Sequence, residues 1–518
     1  MQTIIKNGKI IDGSGKAAFA ADIGINDGKI SEIGNLKKAK AKKIVDAAGK
    51  FVAPGFIDIQ NHSDVYWAIF DSPQMQSLVS QGITTVLMGN CGASLAPLIS
   101  RDALFSIQKW HDLAGVNLNW LTFGEYLAEL SKRKFGTNLA GLVGYSTLRR
   151  GLIKDNVRPL KNEEIKILNK VLSKSMEQGA FGLSSGLSYA HEAIMAESEL
   201  NSLAQTVKES GGLFSIHLRS ESSELVESVS EALELVSKFG VNMKISHFKA
   251  REKDNWHLLP QALALIEAAY QKHGNIHFDV YPYDFVWQVL YTYLPKWSYE
   301  GGRNSILNNL KGETQRRKML AYLASRNIDY SQIFIASTAH SLNVAGKTIG
   351  EIAARHGTTS EESLLDIIEN GGSEVLVFEK NLDEKQVREL LAHPLGMVAT
   401  DGAGFSTSTQ GRLVHPRCFG SMPKFLHLAL SENLMPVGKA VQKLTSIPAA
   451  KIGLQKRGQL KKGYFADICI FSADVKDAAT RENPFRFSQG ISYVFVNGEP
   501  EFENGNFSAS SAGIVLKK

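Results

Sequence analysis

Pro54-Gly55-Phe56-Ile57-Asp58-Ile59-Gln60-Asn61-His62-Ser63-Asp64 is an apolar run that stops at a cluster of groups able to bind metal or water. A buried strand tip carrying His and Asp is how many hydrolases begin a metal site. Two ligands spaced two residues apart are normally both imidazoles, and here the first position is Gln60. A neutral amide is a poor zinc ligand beside imidazole or thiolate. Whether a metal can be held then depends on what the rest of the chain supplies.

Upstream of this stretch, residues 3–11 and 21–30 read as short strands with Asn7-Gly8 and Asp27-Gly28 turns, a hairpin signal. The same texture returns at 466–471 and 493–500. Two β-rich ends around a long middle predict a small composite β-domain, residues 1–50 with 441–518. Downstream, apolar runs recur at 54–59, 83–88, 139–145, 180–184, 213–218, 241–246, 276–281 and 395–400. Helical periodicity separates most of them, as in Glu163 to Gln178 and Glu221 to Lys238. Alternating strands and helices in this number predict an α/β fold, a (β/α)8 TIM-like barrel over 51–440. The gap from about 285 to 393 is too long for one crossover. It holds helices and the run Ile333-Phe334-Ile335-Ala336, and reads as an insertion between strands seven and eight.

The composition narrows the function classes. With 518 residues, 43% hydrophobic and 21% charged, this is an ordinary globular chain with room for a large core. A net charge of +6 is small for the length and leaves no footprint for nucleic acid. The basic run Lys37 to Lys43 reads as a solvated loop. Three distant cysteines, Cys91, Cys418 and Cys469, argue against a disulfide framework and for a reducing compartment. No apolar run has the length of a signal peptide core or a membrane span, so a cytoplasmic enzyme without a membrane partner is expected.

The chemistry sits at the ends of the predicted strands. Strand one ends in Gln60 and His62, strand two in Gly89-Asn90-Cys91-Gly92, strand five in His217 and Arg219. Strand six ends in His247 and Lys249, strand seven in Tyr281-Pro282-Tyr283, and strand eight in Thr400-Asp401-Gly402. In a barrel these tips converge on one face. A lone His or Cys there is usually structural. Two His, one Cys and one Asp at separate tips form a zinc-like set, with His62 as an extra member.

These segments resemble the N-acyl-D-amino-acid deacylases (D-aminoacylases) of the metal-dependent amidohydrolase superfamily. The resemblance is carried by Pro54 to Asp58, by Gly89-Asn90-Cys91-Gly92 through Leu98, and by Gly179 to Leu187. It continues through Ser246 to Ala250, Asp279 to Tyr283, Thr400-Asp401-Gly402, His415-Pro416-Arg417 and Gly463 to Asp467. It implies that Cys91, His217 and His247 hold one tight zinc ion, and that Asp401 is the catalytic carboxylate. It implies a small-molecule substrate, an N-acyl-D-amino acid, whose amide is attacked by zinc-polarised water. Lys249, Arg417 and Tyr281 match the positions that hold the substrate carboxylate; the D preference comes only from the resemblance.

Three positions depart from the family pattern. Gln60 stands where the first imidazole of strand one is usual, which predicts a weak or absent second metal site with His62 as an auxiliary. Tyr145 stands where His is common. The loop Phe405 to Arg412 is longer than expected, so Arg412 competes with Arg417 for the carboxylate.

Other readings use the same residues. Gly182-Leu183-Ser184-Ser185-Gly186 matches a serine-hydrolase motif, but no helix pattern follows the serine at once. Cys91 could be a nucleophile. A cyclic-amide hydrolase of the dihydroorotase or hydantoinase type would want a lysine on strand four. A catalytically inactive binding protein would have little reason to keep Asp401, since a buried unpaired carboxylate is costly.

Overall fold

The computed structural model describes residues 1–518 apart from 101–102, 105–117, 155, 300–302, 339–343, 373–374 and 408–412, and the side chains of 303–304. Eight strands build a barrel: Phe56–Asp58, Ile83–Met88, Asn138–Gly141, Gly182–Gly186, Leu213–His217, Asn242–Ile245, Ile276–Val280 and Gly396–Val398. Strands one to three pair in parallel, as do four to eight. Strand eight meets strand one just beyond their ends, where Asp401 N–H donates to Gln60 O (2.9 Å) and His62 N–H to Gly402 O (2.8 Å). The C-terminal ends of the eight strands form the upper rim of the barrel.

The seam between strands three and four is built differently. Its upper part pairs directly, with Phe181 N–H donating to Gly141 O at 2.9 Å and Val143 and Gly144 opposite Leu183 and Ser184. The expected single run 139–145 is therefore two strands, broken at Leu142, whose N–H turns back to Met88 O at 2.9 Å. The lower part is filled by residues 512–518. Leu139 N–H donates to Ile514 O (2.9 Å), Leu516 N–H to Leu139 O (2.8 Å), and Lys518 N–H to Gly179 O (3.2 Å). Leu516 packs against the aliphatic floor made by Ile57, Leu87, Ala140, Phe181, Leu213 and Met397. The helix Ser446–Ile452 closes the same floor with Ala449 and Ile452.

The outer helices follow from their patterns. Leu225–Phe239 buries Leu225, Val229, Ala232, Leu235 and Val236 along one stripe and ends at Gly240, whose φ of 62° suits glycine. Each of the buried leucines and valines contributes roughly 1.5–3 kcal/mol.

Residues 3–54 and 468–507 form a nine-stranded sheet, in which Phe51–Pro54 pairs in parallel with Thr3–Ile10 and antiparallel with Ile468–Lys476. The segments before Ile468, at Val437–Leu444 and Ser446–Ile452, are helical. Gly55 is the step from this sheet into barrel strand one, and a β-carbon there would lie 2.2 Å from Thr84 Oγ1. Between strands seven and eight, Val286–Val289, Ile333–Ser337 and Leu376–Glu379 make a small antiparallel sheet. With helices Arg303–Lys311, Glu313–Ala324, Ile349–His356 and Ser360–Gly371 it has its own apolar cluster. The run at 333–336 is thus one of three strands there; the other two are four residues each, one interrupted by Gln288 and the other ended by Glu379. Among the described residues, no helix is long and apolar enough to cross a membrane.

Candidate metal centre and active site

The barrel brings Cys91, His217 and His247 together from strands two, five and six. One donor atom from each lies within 4.8 Å of the others. Cys91 Sγ is 3.4 Å from His247 Nε2, and the two imidazoles meet edge to face with centroids 4.4 Å apart. A second group, His62, Cys91 and Asp401, satisfies the same 4.8 Å limit and shares the thiol.

The backbone marks three of these residues. Cys91, His247 and Asp401 have φ of 52°, 37° and 48°, in the left-handed region that non-glycine residues rarely adopt. Each lies just past the end of its strand, and local strain of this kind persists where the surroundings over-determine it. Around Cys91 the surroundings are close indeed. A β-carbon on Gly92 would lie 2.1 Å from Glu192 Oε1, and one on Gly89 2.2 Å from Leu142 O.

The second ring of contacts orients the imidazoles. Glu221 Oε1 lies 2.8 Å from His247 Nδ1 and accepts from Lys249 Nζ at 2.6 Å. Asp279 Oδ1 accepts from His247 N–H (2.8 Å). Such a carboxylate behind the ring fixes which nitrogen faces the centre. His217 Nε2 lies 2.8 Å from Ser188 Oγ, while its buried Nδ1 has no hydrogen-bond partner among the described residues. Burial pushes the Cys91 thiol up, but the charge of His247 together with hydrogen bonds from His217, His247 and His62 outweighs it and holds the thiol well below its usual range. Burial also opposes charge on His247, yet Glu221, Asp401 and Cys91 raise it to about 10.

Asp401 is gripped from both sides. Its Oδ1 is 3.0 Å from His62 Nε2 and its Oδ2 2.8 Å from Arg417 Nη2. Burial alone would raise its carboxyl, but Arg417, His247 and His62 keep it well below the usual carboxylate range. Arg417 lies over the Tyr281 ring at 4.6 Å, with Lys249 on the same ring at 5.9 Å. Tyr283 turns away, its hydroxyl donating to Asp477 Oδ2 at 3.2 Å. Tyr66 contacts Trp287 (5.1 Å between centroids) and Phe405 (5.8 Å), giving the site an aromatic wall near His62.

The remaining sequence candidates separate cleanly. Gln60 is buried and its amide donates to Cys91 Sγ at 3.1 Å. Tyr145 is outside the site, donating to Glu199 Oε1 at 2.8 Å beside Arg149. Ser184 donates to Gly89 O and receives Gly92 N–H at 3.0 Å, so it braces the Cys91 loop, and among the described residues it bonds no general base. Strand four carries no lysine. Arg412 lies outside the described residues.

Two residues of the site are not among the candidates that the sequence offers. Glu221 gives no signal beyond being an acid four positions after His217. Lys244 does give one, as a charge inside a strand that is otherwise buried.

The model of the amidohydrolase family matches residues 43–236 and 315–502. D-aminoacylase of Alcaligenes xylosoxydans xylosoxydans is 31% identical over 517 residues, 99% of this chain and 97% of the relative. N-acyl-D-glutamate deacylase of the same organism is 30% identical over 96% of this chain and 93% of its own. The crystal structure of N-acyl-D-glutamate deacylase from Bordetella bronchiseptica, complexed with zinc and a phosphonate mimic of the tetrahedral intermediate, superposes with a TM-score of 0.85 at 29% identity. That likeness covers 100% of both chains. A D-hydantoinase superposes at 0.57 with 14% identity, a likeness of fold alone.

Proposed function

We propose that this chain, which belongs to the amidohydrolase family, is a zinc-dependent hydrolase of N-acyl-D-amino acids. Similarity along nearly the whole chain to D-aminoacylase and N-acyl-D-glutamate deacylase makes it a hydrolase of linear amides, and the same relatives supply the substrate class. The observation that carries the metal-dependent reading is the convergence of Cys91, His217 and His247 within 4.8 Å. A thiolate and two imidazoles are a fitting zinc set that leaves a position open, and the partnerless His217 Nδ1 is a buried polar atom that a cation would satisfy.

Bound by these three residues, zinc supplies Lewis-acid charge to the scissile carbonyl and to water. The chain does the rest. Asp401 takes the proton from the attacking water and delivers it to the leaving nitrogen, with His62 fixing one of its oxygens. Arg417, Lys249 and Tyr281 receive the substrate carboxylate; Arg417 is apt because its planar fork grips a carboxylate in two places. Arg417 also pairs with Asp401. A substrate carboxylate competes for that guanidinium, so binding releases Asp401 toward the higher proton affinity that its burial favours.

The test is a panel of N-acyl-D-amino acids, their L forms, N-acyl dipeptides and cyclic amides offered to zinc-loaded protein. Turnover confined to linear N-acyl-D-amino acids is expected. No turnover of any linear amide, or turnover of cyclic amides only, would sink the reading.

A further inference from the structure

Lys244 is a fully buried charge that the hydrolytic reading leaves unused. It lies in strand six with its ammonium inside the barrel, and both it and Asp279 are closed to solvent. Nζ donates to Asp279 Oδ2 (2.7 Å), to Ile59 O (3.2 Å) and to the amide oxygen of Gln60, with Asn90 Oδ1 at 3.4 Å. An ammonium has donors only, so the Gln60 atom facing it must be the oxygen. Ser246 Oγ, at 3.2 Å, donates to that same oxygen. The amide nitrogen is thereby turned toward the centre, where it donates to Cys91 Sγ at 3.1 Å. Strand one thus offers the centre an N–H, which cannot ligate a cation.

We propose that Lys244 is a built-in cation that locks Gln60 in this orientation and limits the protein to one tightly held zinc ion, at Cys91, His217 and His247. The inference rests on the metal centre proposed above. The group His62, Cys91 and Asp401 has the spacing for a second ion, but three features act against it. Its strand-one neighbour points a donor inward. That donor occupies a lone pair of the thiolate that two ions would have to share. The ammonium behind Gln60 adds a positive charge close to strand one, which the paired Asp279 carboxylate offsets in part. Lys244 is a positioning residue: it turns Gln60, and its own ammonium, held at Ile59 O, stays behind the strand-one tip whatever side chain occupies position 60.

The test compares the wild type with Gln60→His, Gln60→His/Lys244→Met and a Gln60→His/Lys244→Met/Asp279→Asn variant. The last removes the carboxylate charge that loss of Lys244 strands, while an Asn oxygen can still accept from His247 N–H. Zinc retained after dialysis against metal-free buffer is measured by elemental analysis. Cobalt(II) titration is followed by thiolate charge-transfer absorption. We expect one equivalent in the wild type and in Gln60→His, and two equivalents once Lys244 is gone, with a second phase in the cobalt titration. Two equivalents in the wild type or in Gln60→His alone would overturn the proposal, as would one equivalent in a folded Gln60→His/Lys244→Met variant or in the folded triple variant. A wild type that retains no zinc and shows no charge-transfer band would instead overturn the metal centre itself.

Discussion

At the upper rim of the barrel Asp401, Arg417 and His62, and beside them Glu221, Lys249 and His247, meet in direct contacts between opposite charges. At the lower end Lys443 and Lys451 are equally buried but donate to the backbone carbonyls of His393 and Asn275. The rim therefore holds Asp401 and His247 in their charged forms, while the floor weakens its lysines as bases. Asp401 is held well below its usual range, whereas burial brings both lysines down to about 7. One barrel keeps polarised groups where a substrate arrives and apolar packing with weakened lysine bases where only stability is at stake. Substitutions should respect that division, rim variants changing metal content or turnover and floor variants changing stability alone.

The largest break is expected at the metal ligands. Cys91→Ala or His247→Ala should release zinc on dialysis and lower kcat/KM by about 10³-fold or more, since a metal Lewis acid supplies several kcal/mol. Elemental analysis and steady-state kinetics read both. Asp401→Asn should cost roughly 10²–10⁴ in kcat while leaving zinc bound; release of zinc would make Asp401 a ligand and remove it as the base. Arg417→Lys should raise KM about tenfold or more, a lost charged hydrogen bond being worth roughly 1.5–3 kcal/mol. A change confined to kcat would move Arg417 from substrate binding to the tuning of Asp401.

At the floor, Leu516→Ala should lower stability by about 1–2 kcal/mol, less than a fully buried leucine, with zinc content and KM unchanged. Thermal unfolding checks the first and kinetics the second. The smallest effect concerns pH. Folded Lys443 and Lys451 at about 7 compare with 10.5 ordinarily. Between those values the unfolded chain binds more protons, so stability should rise with pH, by at most about 1.4 kcal/mol per unit for each lysine. Lys443→Met or Lys451→Met should flatten the slope measured from pH 7 to 10, and an unchanged slope would show these lysines to be charged in the fold.

The same division explains what is legible in the sequence. The apolar strand runs and the polar residues that end them are local, so the tips bearing His62, Cys91, His217, His247 and Asp401 stand out from the amino-acid order alone. Lys244 and Glu221 matter through partners far away in sequence, Gln60 and Asp279 for one, Lys249 and His247 for the other. The capture of Arg417 by Asp401 is likewise a tertiary fact. Residues 508–516, Ser-Ala-Ser-Ser-Ala-Gly-Ile-Val-Leu, carry no strand signature because their pairing partner is strand three. The strands Val286–Val289 and Leu376–Glu379 are hidden by brevity, each needing the other to form.

The seam between strands three and four gives the barrel an order of assembly. Its lower half waits for Ile514 and Leu516, which a ribosome makes only after all eight strands. A nascent chain with every strand outside the exit tunnel still has Leu139 unpaired on that side and its floor without Leu516. Closure therefore waits on residues that follow all eight strands in the chain. Until that moment an open strand edge is presented to neighbouring chains, the kind of surface on which aggregation starts.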